Sequence, residues 1–435
     1  MKGDMLMRLG PRFFLLQTGT SVGMISGHIF RLALAWWCLQ ATHSAVAFSS
    51  LIAISVATEI YLKPFLASFG DHFNRIKFLI ACQFVVLGMI TLFCLTNYLA
   101  YFNLAAITSG LVVMSAISSV REPTIMGLIP DLVAEGEVTQ AISNRSTINS
   151  IIMLIGPVIA ASLISFFSVG VALCISAVIY ASSCIAYIIL FFKYESNVVT
   201  TAARESWFDK TKGGFRAIYH VKSEFHIALI SSVINFTMFP FFSVTIPYWI
   251  SSELKLPATY LGAFEFSFGL GLILSSLYIN TALRERAGRL NNILLGFVLL
   301  GTSVMAIVLT GNIYISIALA FFCGMAFIFI NVNLSTLRST ATPREYRTRM
   351  SAMAAFLSSL ANPFGVAITG WYISFLGVVP FTVISGAAVV FIAPVVLCSF
   401  HLRRALSLDE NEMKGFYERT YPQAFYKREE QKYEA

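Results

Sequence analysis

Charged side chains inside apolar segments are the first candidates for chemistry in this sequence. The first long apolar segment contains His28 and Arg31, the second contains Glu59 and Lys63, and a later one contains Glu265. Ionisable groups are costly inside a membrane, where they usually bind substrate, relay protons or pair with one another. We therefore predict that these residues bind substrate or carry protons.

The polar residues of the first segment repeat at helical spacing. They are separated by intervals of four and three residues: Gln17, Ser21, Met24, His28, Arg31 and Ala35. This spacing places them on one face of a helix, which we expect to border a cavity rather than lipid. Glu59 and Lys63 are also four residues apart, and two interpretations stay open for them. They form a mutually neutralised structural pair, or Glu59 faces the cavity and titrates.

Two asparagines are further candidates because each precedes a proline that is expected to kink a helix. Asn235 stands five residues before Pro240, and Asn362 stands directly before Pro363. We predict that each amide either lines a binding site or satisfies a hydrogen bond between helices.

The composition indicates a membrane environment for all of these residues. Of 435 residues, 57% are hydrophobic and 12% are charged, and the mean hydropathy is +0.76. A soluble domain is roughly 45–50% apolar and about 25% charged, so we predict an all-α integral membrane protein. The twelve predicted spans are 13–40, 45–68, 78–97, 101–120, 140–167, 169–192, 226–250, 258–282, 290–310, 313–336, 350–373 and 377–400.

The distribution of basic residues predicts the orientation of these spans. The loops on one side carry almost all of the Lys and Arg residues between the spans, whereas the opposite loops carry only Lys255. Because basic loops tend to remain in the cytoplasm, we predict that both termini are cytoplasmic. The predicted location is the bacterial cytoplasmic (inner) membrane.

The longest internal hydrophilic segment divides the predicted spans into two sets of six. We predict an N-terminal six-helix bundle at 1–192, a cytoplasmic linker at 193–225, a C-terminal six-helix bundle at 226–400 and a cytoplasmic tail at 401–435. In the linker, "WFDKTKGGFRAIYHVK" alternates aromatic and basic residues, which predicts an amphipathic helix on an anionic leaflet. The charged, tyrosine-rich tail is predicted to be partly disordered.

Several other classes of protein are excluded by missing motifs. The sequence has no G-x-x-x-x-G-K-[ST] loop, so we expect no nucleotide binding. Its seven cysteines lie in apolar runs without metal-ligand spacing, so we expect no metal site and no disulfide framework. We also expect no enzyme activity, no cofactor and no nucleic-acid partner. The expected state is a monomer in contact with membrane lipids.

Three segments carry a family resemblance. The stretch "SFGDHFNRIK" places Asp71, Arg75 and Lys77 as an acid followed by two basic residues between the second and third spans. Residues 121–163, which begin "REPTIMGLIPDLV", and residues 342–353, "TPREYRTRMSAM", are the other two. With twelve spans in two sets of six, these motifs resemble the major facilitator superfamily. The last two segments resemble its branch of enterobactin exporters and macrolide efflux proteins.

The resemblance implies two pseudo-symmetric six-helix bundles and a gate on the cytoplasmic side. The predicted gate residues are Asp71, Arg75, Lys77, Glu122, Asp131 and Arg347. We expect Asp71 to meet the N-terminal end of the eleventh span. Arg75 is expected to pair with an acid after the fourth span, Glu122 in preference to Asp131. The alternative is that these charges only solvate a turn and enforce the topology.

The fifth span contains Gly156 and Pro157, where exporters of this superfamily often carry a Gly-Pro signature. Small residues allow helices to approach closely in lipid, so we predict a packing role for both. Packing alone and a link to export stay open as interpretations.

The resemblance implies a secondary active transporter that works by alternating access. We predict a proton-coupled exporter, an antiporter, of a small amphipathic organic molecule such as a siderophore or a drug. One alternative is an importer of an anionic nutrient, in which Arg31 and Lys63 hold the negative charge. A second alternative is a lipid flippase or scramblase, which would move lipid analogues.

Overall fold

The computed structural model describes residues 9–66, 74–193 and 207–425, and the regular elements in these ranges are helices. The α-helices are α1 (Gly10–Thr42), α2 (Ala45–Leu66), α3 (Arg75–Tyr98), α4 (Leu104–Leu132), α5 (Val138–Phe166), α6 (Val169–Lys193), α7 (Trp207–His220), α8 (Lys222–Pro240), α9 (Ala258–Leu274), α10 (Asn280–Leu309), α11 (Ile313–Ala341), α12 (Arg347–Ser359), α13 (Asn362–Leu376), α14 (Val378–Cys398), α15 (Phe400–Leu406), α16 (Glu410–Met413) and α17 (Phe416–Thr420). Helix α8 continues to Glu253 through short π-helical and α-helical turns, and a π-helical turn joins α9 to α10.

The helices make twelve passages through a membrane. Eleven stretches of the described chain are long and apolar enough to cross one. One stretch, Ala258–Leu309, has 52 residues, or about 78 Å at 1.5 Å per residue, against about 30 Å of bilayer hydrocarbon. Gly288 interrupts it with φ 79° and ψ 165°, a conformation that side chains with a Cβ rarely adopt. This stretch therefore supplies two spans, and the predicted all-α membrane protein with twelve spans is confirmed.

Helix α4 extends further than the sequence predicts. We expected a loop after the fourth span, but the helix continues to Leu132 through Pro123 and Pro130. Apolar side chains at helical spacing are buried along this extension: Ile125, Leu128, Ile129 and Leu132. Their burial outweighs the cost of an interior proline, which is about 3 kcal/mol. As a result, Arg121 and Glu122 lie on a membrane helix rather than in a loop.

The described chain groups into two compact units. Unit 1 comprises Met1–Thr201 and Ile246–Phe266, and unit 2 comprises Ala202–Thr245 and Ser267–Ala435. The boundaries predicted from the sequence follow chain order. By contacts, the end of the seventh span and the start of the eighth belong to unit 1 instead.

The segment Ile246–Phe266 packs closely on α5 within unit 1. The Thr259 N–H donates a hydrogen bond to Ser165 Oγ at 2.9 Å. A Cβ placed on Gly262 would lie only 2.5 Å from the Ala161 Cβ. Because small residues permit such close approach in a membrane, glycine at 262 lets α9 lie directly against α5.

The C-terminal tail is folded as part of unit 2 through residue 425, although the sequence predicts partial disorder. Tyr417 Oη donates to Glu224 Oε1 at 2.8 Å, and Arg338 Nε donates to Glu224 Oε2 at 2.7 Å. Glu224 is fully buried, so a cation and a hydroxyl together compensate its desolvation. Burial, and then the neighbouring Glu224 carboxylate, raises the pKa of Tyr417 well above its usual range.

One disulfide links two helices of unit 1. Cys94, near the end of α3, is bonded to Cys174, near the start of α6, with a Cα–Cα distance of 5.7 Å. The sequence predicts buried, unpaired cysteines because residues 80 positions apart carry no local pairing signal. The pairing corrects that prediction for these two cysteines.

We expect thiol titration of the unfolded protein to report this disulfide. Five cysteines are free in the structure: Cys38, Cys82, Cys184, Cys323 and Cys398. Without reductant, these five should react, and all seven should react after reduction. The Cys94→Ser variant should titrate equally with and without reductant. Seven reactive thiols in the unreduced wild type would contradict the pairing.

Candidate functional site

Arg31 lies in a cluster of charges from three helices of unit 1. Its guanidinium interacts electrostatically with Glu59 on α2 and Glu265 on α9. Its Nε donates to the Gly27 carbonyl at 3.3 Å. Arg31 and Glu59 are exposed, and Glu265 is half-buried. The fold thus brings together three of the residues that the sequence analysis assigned to binding or proton coupling.

The charges of this cluster balance when both of its carboxyls are ionised. Glu59 and Glu265 then supply two negative charges, against the positive charges of Arg31 and of Arg121, which also acts on Arg31. A proton on either carboxyl, or a cationic group of a bound molecule, adds one positive charge to this balance. Because uncompensated charge is costly within a membrane, the cluster is suited to exchange one positive species for another.

His28 adjoins the cluster and fixes the distance between two helices. Its ring interacts electrostatically with Arg31. A Cβ placed on Gly156 of α5 would lie 2.7 Å from the His28 ring, so only glycine leaves room for the imidazole. Pro157 is buried beside it, and its carbonyl oxygen would lie 3.6 Å from a Cβ on Gly262. At the Gly-Pro pair, α5 therefore packs closely against both α1 and α9.

Unit 1 also contains a buried arginine, Arg145, whose ion pair the sequence does not indicate. The Arg145 side chain is 2% exposed, and its Nη2 donates to both Glu122 carboxylate oxygens, at 2.8 and 2.9 Å. Its Nη1 donates to Thr20 Oγ1 at 3.2 Å and to Gln17 Oε1 at 3.5 Å. The pair and its hydrogen bonds join α1, α4 and α5 around one neutralised charge.

A second buried network begins at Arg121 and crosses four helices. Arg121 Nη1 donates to Tyr180 Oη at 3.1 Å, and Tyr180 Oη donates to Gln83 Oε1. Gln83 Nε2 donates to Ser183 Oγ at 2.9 Å, and Ser183 Oγ donates to the Gly19 carbonyl at 2.6 Å. Each hydroxyl accepts one bond and donates another, so the chain runs in one direction from the guanidinium to a backbone carbonyl.

Arg75 pairs with Asp131 rather than with the preferred candidate Glu122. Its Nη1 lies 3.0 Å from Asp131 Oδ2 and donates to the Gly127 carbonyl at 2.8 Å. Glu122 is instead bound by Arg145. The reason is the extension of α4, because it places Asp131 beside the start of α3. Glu122 lies more than two helical turns earlier in the same helix.

The other predicted residues of unit 1 lie apart from these networks. Lys77 Nζ lies 5.3 Å from the centroid of the Phe191 ring, a cation–π contact. Lys63 is exposed, and no ion pair joins it to Glu59 within the described residues. Asp71 lies outside the described residues, so its contact with the eleventh span stays a prediction.

Three predicted residues lie in unit 2. Asn235 Nδ2 donates to the Ser231 carbonyl of its own helix at 2.9 Å. Asn362 is buried at the start of α13, and its Oδ1 has no hydrogen-bond partner among the described residues. Arg347 Nε donates to the Thr342 carbonyl at 3.1 Å, which holds the turn before α12. The buried Oδ1 of Asn362 is therefore available to accept a hydrogen bond from a bound molecule.

The comparisons with known proteins match this architecture. A family profile described as Major Facilitator Superfamily matches residues 16–366 and, in an overlapping match, residues 228–423. The uncharacterized MFS-type transporter YvqJ of Bacillus subtilis is 23% identical over 80% of this chain and 82% of its own length. Macrolide efflux protein A of Streptococcus pyogenes is 19% identical over 88% of this chain and 94% of its own length. The predicted resemblance to macrolide efflux proteins is confirmed as a resemblance.

Solved structures share the fold at low sequence identity. The nucleoside transporter NupG matches with a TM-score of 0.70 and 13% identity, over 89% of this chain and 100% of its own. A bacterial homologue of the iron transporter ferroportin matches with a TM-score of 0.69 and 17% identity, over 91% of this chain and 99% of its own. At these identities, the likeness concerns the fold alone.

Replacing Gly156 should destabilise the protein through its contact with His28. Overpacking a membrane core by one methyl group costs about 1–3 kcal/mol, so Gly156→Ala should lower the midpoint of thermal unfolding in detergent. Adding His28→Ala removes the ring and should restore most of the loss. Gly27→Ala is the control, because no atom lies within 4 Å of a Cβ there. Equal effects of Gly156→Ala with and without His28 would contradict the contact.

Two carboxylates with equal exposure should differ in their contribution to stability. Glu122 and Asp131 are each 45% exposed, but their arginine partners are 2% and 16% exposed. Glu122→Gln leaves Arg145 buried without its carboxylate, which should cost about 3–5 kcal/mol. Asp131→Asn should cost about 0–1 kcal/mol, as for a surface pair. Thermal unfolding of both variants measures their losses of stability. Equal losses would show that burial of the arginine partner does not determine the stability that each carboxylate contributes.

Proposed function

The chain belongs to the Major Facilitator Superfamily, and we propose that it is a proton-coupled exporter of a small amphipathic organic molecule. Since its family and its solved neighbours are transporters, it is an integral membrane transport protein rather than an enzyme. The proposed cargo is drug-like or a siderophore. A drug-like cargo is supported by the similarity to a protein named for macrolide efflux, and the proposed mechanism is alternating access.

The charge cluster of unit 1 is the observation that carries the proposal. Arg31 lies near Glu59 and Glu265, and each of these acids can take up one proton. In the proposed cycle, a proton that enters from outside neutralises one carboxylate and releases the cargo. When the site faces the cytoplasm, the proton leaves and the cargo binds again. Proton and cargo therefore compete for the same carboxylates, which is the requirement for antiport.

The hydrogen-bond network that begins at Arg121 supports the cluster in this proposal. Arg121 repels Arg31, and its own position is held by Tyr180 and the hydrogen-bond chain that follows. A second positive charge near Arg31 favours the ionised form of the carboxyls in the cluster. The proposed role of this network is thus to keep the positive charge of Arg121 at a constant position while Glu59 and Glu265 exchange protons.

The proposed orientation places both termini in the cytoplasm of a bacterial inner membrane. It is supported by the basic loops, which include Arg75 at the start of α3. The opposite end of α3 carries Cys94, which is disulfide-bonded, and disulfides persist in oxidising compartments outside the cytoplasm. In the same proposal the protein is a monomer, and the predicted gate, which includes Asp71, Arg75, Lys77 and Arg347, controls the cytoplasmic opening.

Transport into inside-out membrane vesicles tests the function. With an acidic vesicle interior, the wild type should accumulate a radiolabelled macrolide, and collapse of the gradient should release it. Glu265→Gln and Glu59→Gln should each reduce gradient-driven accumulation by about tenfold, within the usual range of coupling between sites. Glu285→Gln is the matched control, because Glu285 is an exposed acid of α10 between the eighth and ninth spans.

Three outcomes would contradict the proposal. Cargo movement toward the cytoplasmic side would indicate an importer. Gradient-driven accumulation that persists in both Glu59→Gln and Glu265→Gln would remove the cluster from proton coupling. Movement of fluorescent lipid analogues without any gradient, in the absence of macrolide transport, would indicate a scramblase.

A further inference from the structure

An apolar groove opens on the surface of unit 2 beside α7, the helix of the predicted linker. It has a volume of about 380 Å³, within the range of roughly 300–1,000 Å³ that is typical of small-molecule sites. Its lining comes from α7, α8 and the junction of α12 with α13, and it includes Phe215, Tyr219, Phe225, Leu229, Ser232 and Phe364. The groove thus follows a break between two helices, and its walls are almost entirely hydrocarbon.

The few polar groups of this lining do not call for a polar ligand. Ser232 Oγ donates to the Leu357 carbonyl at 3.0 Å, so its hydroxyl is already used to satisfy the break in the helix. The Tyr219 ring stacks on Phe215, with centroids 6.4 Å apart. Leu229 and Phe364 are 51% and 61% exposed, so the groove is open along its length. A flexible alkyl chain fits this shape and chemistry.

A cluster of basic groups lies at one end of the groove. Phe225 lines the groove, and its neighbour His226 stacks with His401 of α15, with ring centroids 6.4 Å apart. The pKa of His401 is lowered from 6.5, by desolvation first and then by positive charges around it. Those positive groups are Lys222, His226 and Arg404. Lys222 precedes Phe225 by one helical turn, so both project to the same side of α8.

Within the described residues, no carboxylate neutralises this positive charge. Lys222 and Arg404 are exposed, and no carboxylate forms an ion pair with either one in the described part of the chain. The nearest acid in sequence, Glu224, is fully buried and is bound by Arg338. The surface therefore offers an anion site and an alkyl groove side by side.

We propose that unit 2 binds an anionic phospholipid, with its phosphate at Lys222 and Arg404 and an acyl chain in the groove. The pairing of a basic cluster with an adjoining hydrocarbon groove matches the two parts of such a lipid. A neutral lipid would use only the groove, and a soluble anion would use only the cluster. The bound lipid would bridge α7, α8 and the α12–α13 junction, so it would stabilise the packing of α7 within unit 2.

Binding of labelled lipids to the purified full-length protein in detergent tests the proposal without any transported cargo. The probes are fluorescent phosphatidylglycerol and phosphatidylcholine with the same acyl chains, measured by anisotropy. Removing one basic residue near an anionic lipid should weaken binding by about fivefold. Lys222→Glu combined with Arg404→Glu should therefore abolish the preference for phosphatidylglycerol, and high salt should do the same. Arg344→Glu, an exposed basic residue of the turn before α12, should leave the preference intact.

The groove is tested by filling it. Leu229→Trp should weaken both lipids, because the indole occupies the space of the acyl chain. Leu277→Trp, at a leucine that is 61% exposed elsewhere in unit 2, should change neither affinity. A photoactivatable phosphatidylglycerol should label peptides from 215–232 and 357–364 in the wild type, and Leu229→Trp should suppress that labelling.

The proposal fails if the two lipids bind the wild type equally, or if the paired charge reversal leaves the preference unchanged. It also fails if Leu229→Trp and Leu277→Trp behave alike. Thermal unfolding of each variant separates loss of binding from loss of fold. Because every readout is lipid binding, these outcomes are independent of whether the protein exports a drug.

Discussion

A charge buried in an apolar medium must be neutralised where it stands, and this constraint organises unit 1. Arg145 is almost fully buried, and Glu122 neutralises it through two short hydrogen bonds. Because breaking one partner of a buried pair costs about 3–5 kcal/mol, the pair fixes the positions of the helices that supply it. Thr20 and Gln17 add α1 to the same arrangement.

A second arginine of unit 1, Arg31, lies in the opposite environment from Arg145. The contrast distinguishes the structural ion pair from the candidate functional site. Arg31 is exposed and faces two acids, Glu59 and Glu265, with no salt bridge among the described residues that locks any of them. A neutralised, immobile pair provides stability, whereas an exposed cluster with no locked pair can change its occupant. Transport requires both, since the exchanging groups must keep a constant position while the charge they carry changes.

In unit 2, the buried charge of Glu224 is neutralised in the same way, whereas two nearby basic residues are not paired within the described residues. Arg338 and Tyr417 compensate the buried Glu224, and this need explains why the C-terminal tail is folded rather than loose. A few residues away, Lys222 and Arg404 are exposed and receive no carboxylate among the described residues. In water, such groups would need no partner. At the boundary of a membrane, the phosphate of a lipid is the available anion.

Hydropathy and the placement of Lys and Arg predict the environment, the number of spans and most of the charged candidates, because both are local properties that lipid enforces segment by segment. The sequence also indicates Arg31, Glu59 and Glu265 singly, since any ionisable group in an apolar run is conspicuous. It does not indicate Arg145, Tyr180 or Gln83 as members of networks, although a lone amide such as Gln83 inside an apolar segment is an available signal.

Which charges pair with one another depends on packing between segments that are distant in the chain. Because α4 continues past two prolines, Asp131 lies beside Arg75 and Glu122 lies beside Arg145. The helix continues because its packing outweighs the tendency of proline to end a helix, and that packing depends on residues far away in the chain.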